Sequence, residues 1–285
     1  MDINLRANTI IQALPYVKEF HNKTIVIKYG GNAMISETLK SAVIEDLVML
    51  SLIGMNVVFI HGGGPEISHT LKQLNIESKF INGLRYTDDK TIDVVQMVLC
   101  GKINKDLVKL IECEGGNAVG LCGIDGNMLV SEKINDDEFD YGYVGKVKEV
   151  NIKPIDDIIS KGYIPVIAPL GVAENGDVLN INADTAAAQI AIALKAEKFI
   201  LLTDVQGIMK DYKDENSLIS AVNIKEIEQL KKDGIISGGM IPKVDCCIEA
   251  VKGNVTRTHI IDGRVPHSIL IEMLSDEGIG TMITL

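Results

Sequence analysis

The sequence predicts an α/β fold, a three-layer αβα sandwich around an open, mainly parallel sheet. Six short apolar runs rich in β-branched residues recur along the 285 residues, most of them apolar on both faces, as strands covered on both sides by helices must be. Between them lie segments with apolar residues three and four apart, so strand and helix alternate and right-handed crossovers keep the strands parallel. A hydrophobic content of 46% suffices for a large core.

The predicted strands are TIVIKY (24–29), NVVFI (56–60), AVGLC (118–122), YIPVIA (163–168), KFILLT (198–203) and THIID (258–262). The helical patterns are 39–54, ended by Gly54, then 65–75, 88–115, 155–162, 185–196, 224–234 and 240–253. One region, 123–150, breaks the rhythm: an Asp125-Gly126 turn signal and short alternating runs predict antiparallel hairpins. Ahead of the first strand, Ile10, Leu14 and Val17 form a short apolar stripe, with Pro15 placed to kink it.

Charge and cysteine usage narrow the function. A net charge of -11 and a pI near 5 leave no basic face for nucleic acid, so an anionic ligand must be attracted locally. Five cysteines without C-x-x-C spacing indicate neither a disulfide frame nor a zinc site and read as reduced and mostly buried, as in the cytosol. The first twenty residues carry charges and a proline where a signal peptide needs an apolar core, and no run is long enough to span a membrane.

Four places carry chemistry. In VVFIHGGGPEIS the second strand runs into Gly62, Gly63 and Gly64, which lets backbone approach a ligand closely, and Pro65 suits the first turn of a helix whose free amides face an anion. The string matches neither a Walker loop nor a dinucleotide fingerprint. In TIVIKYGGNAM, Lys28 sits inside an apolar strand just before Gly30 and Gly31, a costly place unless it meets an anion; an edge-strand lysine reaching solvent is the plainer alternative. In SGGMIPKV, Lys243 lies in the first turn of a helix after Gly238 and Gly239, where a cation opposes the macrodipole. In NINADTAAA, Asn180 and Asn182 project from one face of an extended segment, and Asp184 follows as an N-cap or as an anchor for ammonium groups.

Two lysines and two glycine loops at strand ends suit phosphoryl transfer, and no general base accompanies them. An alcohol acceptor needs one, whereas a carboxylate with a pKa of about 4 is already ionised at neutral pH. Transfer to a carboxylate rests on alignment and charge, and its product is an acyl phosphate.

The six stretches KYGGNAM, HGGGPEIS, NGLRYTD, NINADTAAA, LLTDVQGI and SGGMIPKV, in that order, closely resemble the amino acid kinase family, specifically its members that phosphorylate N-acetyl-L-glutamate. The resemblance covers essentially the whole chain and implies an open, mainly parallel sheet between helical layers, in two lobes after an oligomerisation helix (1–21). Residues 22–173 would hold N-acetyl-L-glutamate and 174–285 ATP, with Mg2+ carried on the nucleotide phosphates and no protein metal ligand. It implies Lys28 and Lys243 as transition-state stabilisers held by Asp184. Gly30, Gly31 and Gly62 would lie against phosphate. Gly63, Gly64, Arg85, Asn180 and Asn182 would contact substrate, and Asp204, Gly207 and Gly239 the nucleotide. Arginine-inhibited members have such an N-terminal helix, interlace dimers into a hexamer and carry a C-terminal signature like that of residues 259–283. By that likeness Tyr16, His259, Glu272 and Gly278 would line an L-arginine site. A substrate one methylene longer, N-acetylaminoadipate, and a non-catalytic arginine sensor of the same fold are the alternatives.

Overall fold

The computed structural model describes residues 3–34, 36–211 and 213–285. Met1 and Asp2, the start of the expected helix 1–21, lie outside the described residues. That helix forms in two pieces, α1 (Ile3–Gln12) and α2 (Leu14–Phe20). The break falls at Ala13, and Pro15 takes the first turn of α2, where its missing N–H leaves no bond unmade.

The strand β1 (Thr24–Tyr29), α3 (Glu37–Leu52) and β2 (Asn56–His61) make the first crossover unit. Ser36 caps α3, and Gly54 ends it at φ +93°, where any Cβ would also strike His21. Next come α4 (Gly64–Gln73), the two-residue hairpin β3 (Phe80–Ile81) and β4 (Leu84–Arg85), then α5 (Asp89–Gln96) and α6 (Asn104–Cys113). The single helix expected over 88–115 is in fact α5 and α6 joined through a π-helical stretch, Met97–Ile103. β5 (Ala118–Cys122) follows, and 123–150 contains one antiparallel hairpin, β6 (Leu129–Lys133) with β7 (Val144–Val150), rather than several. Then come α7 (Lys153–Ile159), β8 (Ile164–Ala168), β9 (Leu170–Val172), which the sequence does not signal, and β10 (Val178–Ile181), which falls in the segment read as extended around Asn180. The last part holds α8 (Ala183–Ala193), β11 (Lys198–Thr203), β12 (Ala221–Asn223), α9 (Ile224–Lys232), α10 (Met240–Lys252), β13 (Arg257–Asp262), α11 (Ser268–Leu274) and β14 (Thr281–Thr284).

Eight strands form one sheet in the order β12-β14-β13-β11-β1-β2-β8-β5, parallel except where β13 meets β14. β6, β7, β9 and β10 close into a small barrel beside it. The period of two in each strand sorts side chains between two cores. On β1, Ile25, Ile27 and Tyr29 join the core under α3 and α6, while Val26 faces α8 and α10. Lys28 therefore emerges on the α8 and α10 side, and His61, by the same alternation on β2, points toward α6. Only Cys246 and Cys247 are fully buried; Cys100 and Cys122 are half-buried and Cys113 is exposed, so the thiols are free but less buried than expected. Among the described residues no helix is long and apolar enough to cross a membrane.

Candidate active site at the ends of β1 and β2

β1 and β2 run parallel with Lys28 beside Ile60 and Tyr29 beside His61, so both glycine loops leave the sheet side by side at its carboxyl edge. That is where open α/β sheets bind ligands. The Gly62 amide donates to the Tyr29 carbonyl at 2.8 Å and ties one loop to the other. Around them lies a cleft of about 280 Å3, lined by the glycines of both loops together with Lys28, Arg85, Asn180, Asn182 and Asp184.

Asp184, in the first turn of α8, is the centre of its charge. Its Oδ1 lies 2.8 Å from Lys28 Nζ and its Oδ2 2.9 Å from Lys243 Nζ. Lys28 is 8% exposed and is not an edge-strand lysine reaching water, since β1 is flanked by β2 and β11. Burial pushes the Asp184 carboxyl up, but the two ammonium groups outweigh it and hold the pKa at about 2. The N-cap of α8 is Asn182, whose Oδ1 accepts from the amides of Asp184 and Thr185, so Asp184 is not the cap and its carboxylate serves the lysines. Asn180 stands two residues earlier on β10, its amide donating to Thr87 at 3.1 Å.

Glycine makes close approach possible at particular points. A Cβ on Gly30 would lie 2.6 Å from Lys28 Nζ. Gly31 adopts φ +73°, and its Cβ would fall 2.6 Å from an Asp204 carboxylate oxygen. A Cβ on Gly63 would meet Leu99 and Ile103, both from the π-helical stretch, at 2.5 and 2.6 Å. Nothing approaches the Cβ position of Gly64, which opens the first turn of α4.

Arg85 closes the other end. Its guanidinium donates to Ser78 Oγ, to Ser68 Oγ at 2.8 Å and to the Gly64 carbonyl at 3.0 Å, and it lies over the Phe80 ring. Burial lowers its pKa, but arginine stays charged in proteins. Among the described residues no carboxylate lies within ion-pair distance of it, so a buried cation faces the cleft with neutral partners only. Such a cation is completed by an anionic ligand.

The sequence profile of the amino acid kinase family matches residues 23–262. The chain belongs to the amino acid kinase family. Two proteins named acetylglutamate kinase, from Caldanaerobacter subterraneus subsp. tengcongensis and Clostridium beijerinckii, are 55% and 56% identical to it. Both alignments span 98% of this chain, and 93% and 98% of the relatives respectively. Among solved structures, N-acetylglutamate synthase from Neisseria gonorrhoeae, complexed with coenzyme A and N-acetyl-glutamate, superposes with a TM-score of 0.85 at 24% identity. That match spans 98% of this chain and 63% of the synthase, and it speaks for the fold.

Membership of the amino acid kinase family implies ATP as co-substrate with a divalent ion. The three residues expected at the nucleotide do not line the cleft itself. Asp204 follows β11 and lies against Gly31; Gly239 precedes α10, the helix that delivers Lys243. Gly207 sits at φ +149° against Thr281 of β14, where a Cβ would come within 2.5 Å of its hydroxyl, so packing alone demands glycine there. The four residues expected to line an arginine site gather away from the cleft, around α11. His259 Nδ1 lies 2.7 Å from Glu272 Oε1, Gly278 leaves room for the Glu272 carboxylate, and the Tyr16 hydroxyl donates to Asp276. The Ile279 amide donates to the second Glu272 oxygen at 2.9 Å.

Among the buried polar residues that escaped the reading of the sequence, Lys198, His61 and Asn104 lie closest to its expected sites. Lys198, at the start of β11, lies over the Phe20 ring in the neighbourhood of Glu272. Its period-two place opposite Phe199 and Leu201 would have put it on the α11 side. His61 and Asn104 pair beneath the second glycine loop.

Proposed function

We propose that the protein transfers the γ-phosphoryl group of ATP to the side-chain carboxylate of N-acetyl-L-glutamate, giving N-acetyl-L-glutamyl 5-phosphate, the second step of arginine biosynthesis. One observation carries the reading: among the described residues, Asp184 is the only carboxylate lining the cleft, and with its pKa at about 2 between two lysines it cannot serve as a base at neutral pH. The acceptor must arrive ionised, as a carboxylate does. The whole-length identity of about 55% to proteins named acetylglutamate kinase supports the same acceptor.

In this reading the substrate's α-carboxylate pairs with Arg85, and Asn180 holds the acetylamino end. A carboxylate oxygen of the side chain attacks the γ-phosphorus as the bond to the bridging oxygen of ADP breaks. Lys28 and Lys243 neutralise charge on the transferring and leaving oxygens, Asp184 fixes both, and the amides of Gly31, Gly63 and Gly64 receive the equatorial oxygens. Asp204, Gly207 and Gly239 belong to the nucleotide side. Mg2+, when bound, would ride on the ATP phosphates and screen their charge, with no protein side chain assigned as its ligand.

The lobes divide near residue 173, with 22–173 binding acetylglutamate and 174–285 the nucleotide. Residues 1–21 interlace dimers into a hexamer, supported by Ile10 and Ile11, which α1 leaves 74% and 63% exposed. L-arginine inhibits by binding between Tyr16, His259, Glu272 and Gly278, where its guanidinium takes over the carboxylate now matched by His259. The enzyme works in the cytoplasm.

The test is ADP release from MgATP with N-acetyl-L-glutamate, N-acetylaminoadipate, glutamate and aspartate in parallel, with and without arginine. Turnover is expected with acetylglutamate, and arginine is expected to suppress it. Preference for N-acetylaminoadipate would overturn the substrate, since one methylene is worth only about 1 to 3 kcal/mol. No turnover with any acceptor would overturn the enzyme in favour of a sensor.

A further inference from the structure

The His61 ring lies wholly inside the protein, with 0% exposure, directly beneath the loop Gly62–Gly64. Its Nδ1 is 2.9 Å from the carbonyl oxygen of Gly62, and its Nε2 is 3.2 Å from Asn104 Nδ2. Asn104 opens α6, at the end of the π-helical stretch whose Leu99 and Ile103 press on Gly63. Its Nδ2 also contacts the carbonyls of Val166, at 2.9 Å, and Leu121, at 3.2 Å. Two backbone acceptors identify that atom as the nitrogen, and an amide nitrogen only donates. The His61 Nε2 beside it must then present a lone pair. The proton consequently sits on Nδ1 and is donated to the Gly62 carbonyl. A second proton on Nε2 would meet the Asn104 amide hydrogens head on, and burial in any case pulls the imidazole pKa down to about 4.

Gly62 is thereby held on both sides, its amide by the Tyr29 carbonyl and its own carbonyl by the His61 ring. Because a peptide unit is planar, fixing the Gly62 carbonyl fixes the direction of the Gly63 amide on the same plane, the next donor along the loop. We infer that His61, locked by Asn104 as its neutral Nδ1-protonated tautomer, is a positioning residue that aims the Gly63 amide into the cleft. It touches no reacting atom; it sets the loop that does. The role in phosphoryl transfer rests on the function proposed above, whereas the tautomer does not.

The two halves can be separated with isosteres. His61→Asn puts a donor where Nδ1 stood and discards the Asn104 contact. His61→Gln keeps a polar atom near the Nε2 position and discards the donor to Gly62. Positioning by the Gly62 bond predicts that His61→Gln loses about 100-fold in kcat and His61→Asn about five-fold, with the KM for ATP moved less than three-fold in both. Equal losses in the two variants, a larger loss in His61→Asn, or a loss confined to KM would overturn it, because a role in packing alone penalises the smaller asparagine at least as much as glutamine. The wild-type tautomer is read independently by histidine-selective 15N NMR, with the His61 ring assigned through its own side-chain-to-backbone connectivities in the wild-type protein. The expected signature is a neutral, Nδ1-protonated ring from pH 5.5 to 8. An Nε2-protonated ring, or protonation within that range, would overturn the inference whether or not the variants fold. If wild-type turnover fails while the Nδ1 tautomer is found, the error lies in the reaction and not in the geometry.

Discussion

Replacing Asp184 by Asn removes one oxygen's charge and leaves Lys28 and Lys243 facing each other across the site. The cost follows from the carboxyl itself. Held at about 2 in the fold against an ordinary value of 3.8, it contributes about 2 kcal/mol of stability at neutral pH, at ~1.4 kcal/mol per pH unit of difference. The folded-state pKa is the depressed one, so this stability is fully present above about pH 4 and is lost as pH falls through about 2. Near pH 3 roughly half of it remains. The stranded ammonium groups add to the loss, because breaking a buried pair costs more than the pair contributes. Asp184→Asn is therefore expected to unfold at least about 5 °C below wild type at pH 7, with the gap narrowing toward pH 3. Circular dichroism melts at both pH values measure it. A variant as stable as wild type at pH 7, or a gap unchanged at pH 3, would refute the account of Asp184 as the anchor of both lysines.

Lys28→Ala and Lys243→Ala should each lower kcat by about 100-fold or more with the fold retained, and each should melt below wild type but above Asp184→Asn, because Asp184 keeps one of its two partners, a split checked by steady-state kinetics beside calorimetry. Arg85→Lys should raise the KM for acetylglutamate about ten- to a hundred-fold while leaving that for ATP alone, since an ammonium cannot replace a planar fork. Gly31→Ala meets both a left-handed backbone at φ +73° and the Asp204 carboxylate; it should cost about 1 to 2 kcal/mol from the backbone alone and most of the activity. Deleting residues 1–20 should leave a dimer by light scattering that arginine no longer inhibits.

Much of the site was legible because it breaks local rules. A lysine inside the apolar run TIVIKY and another in the first turn of a helix are each unfavourable alone, and they meet on one carboxylate. Six of the eight main-sheet strands were legible for a simpler reason, since they are continuous apolar runs, while the short β12 and β14 at one edge were not. β9 was not, being three residues long, and β10 was read only as an extended segment, its four residues interrupted by Asn180 on a small barrel. Nor was the π-helical stretch, because MVLCGKI continues the helical spacing of its neighbours and only the contacts of Leu99 and Ile103 with Gly63 distinguish it. Asn182 and Asp184 are both good caps, and local sequence alone does not choose between them. The His61 and Asn104 pair joins residues 43 positions apart, a separation without any periodic signal.

Transfer to an already ionised carboxylate is the centre of the account, and trapping the product tests it most directly. With MgATP, N-acetyl-L-glutamate and excess hydroxylamine, an acyl phosphate is captured as a hydroxamate. One hydroxamate is expected for each ADP released. ADP release without hydroxamate would mean that the phosphoryl group goes to water or to another acceptor, and would contradict the assignment of a carboxylate to this cleft.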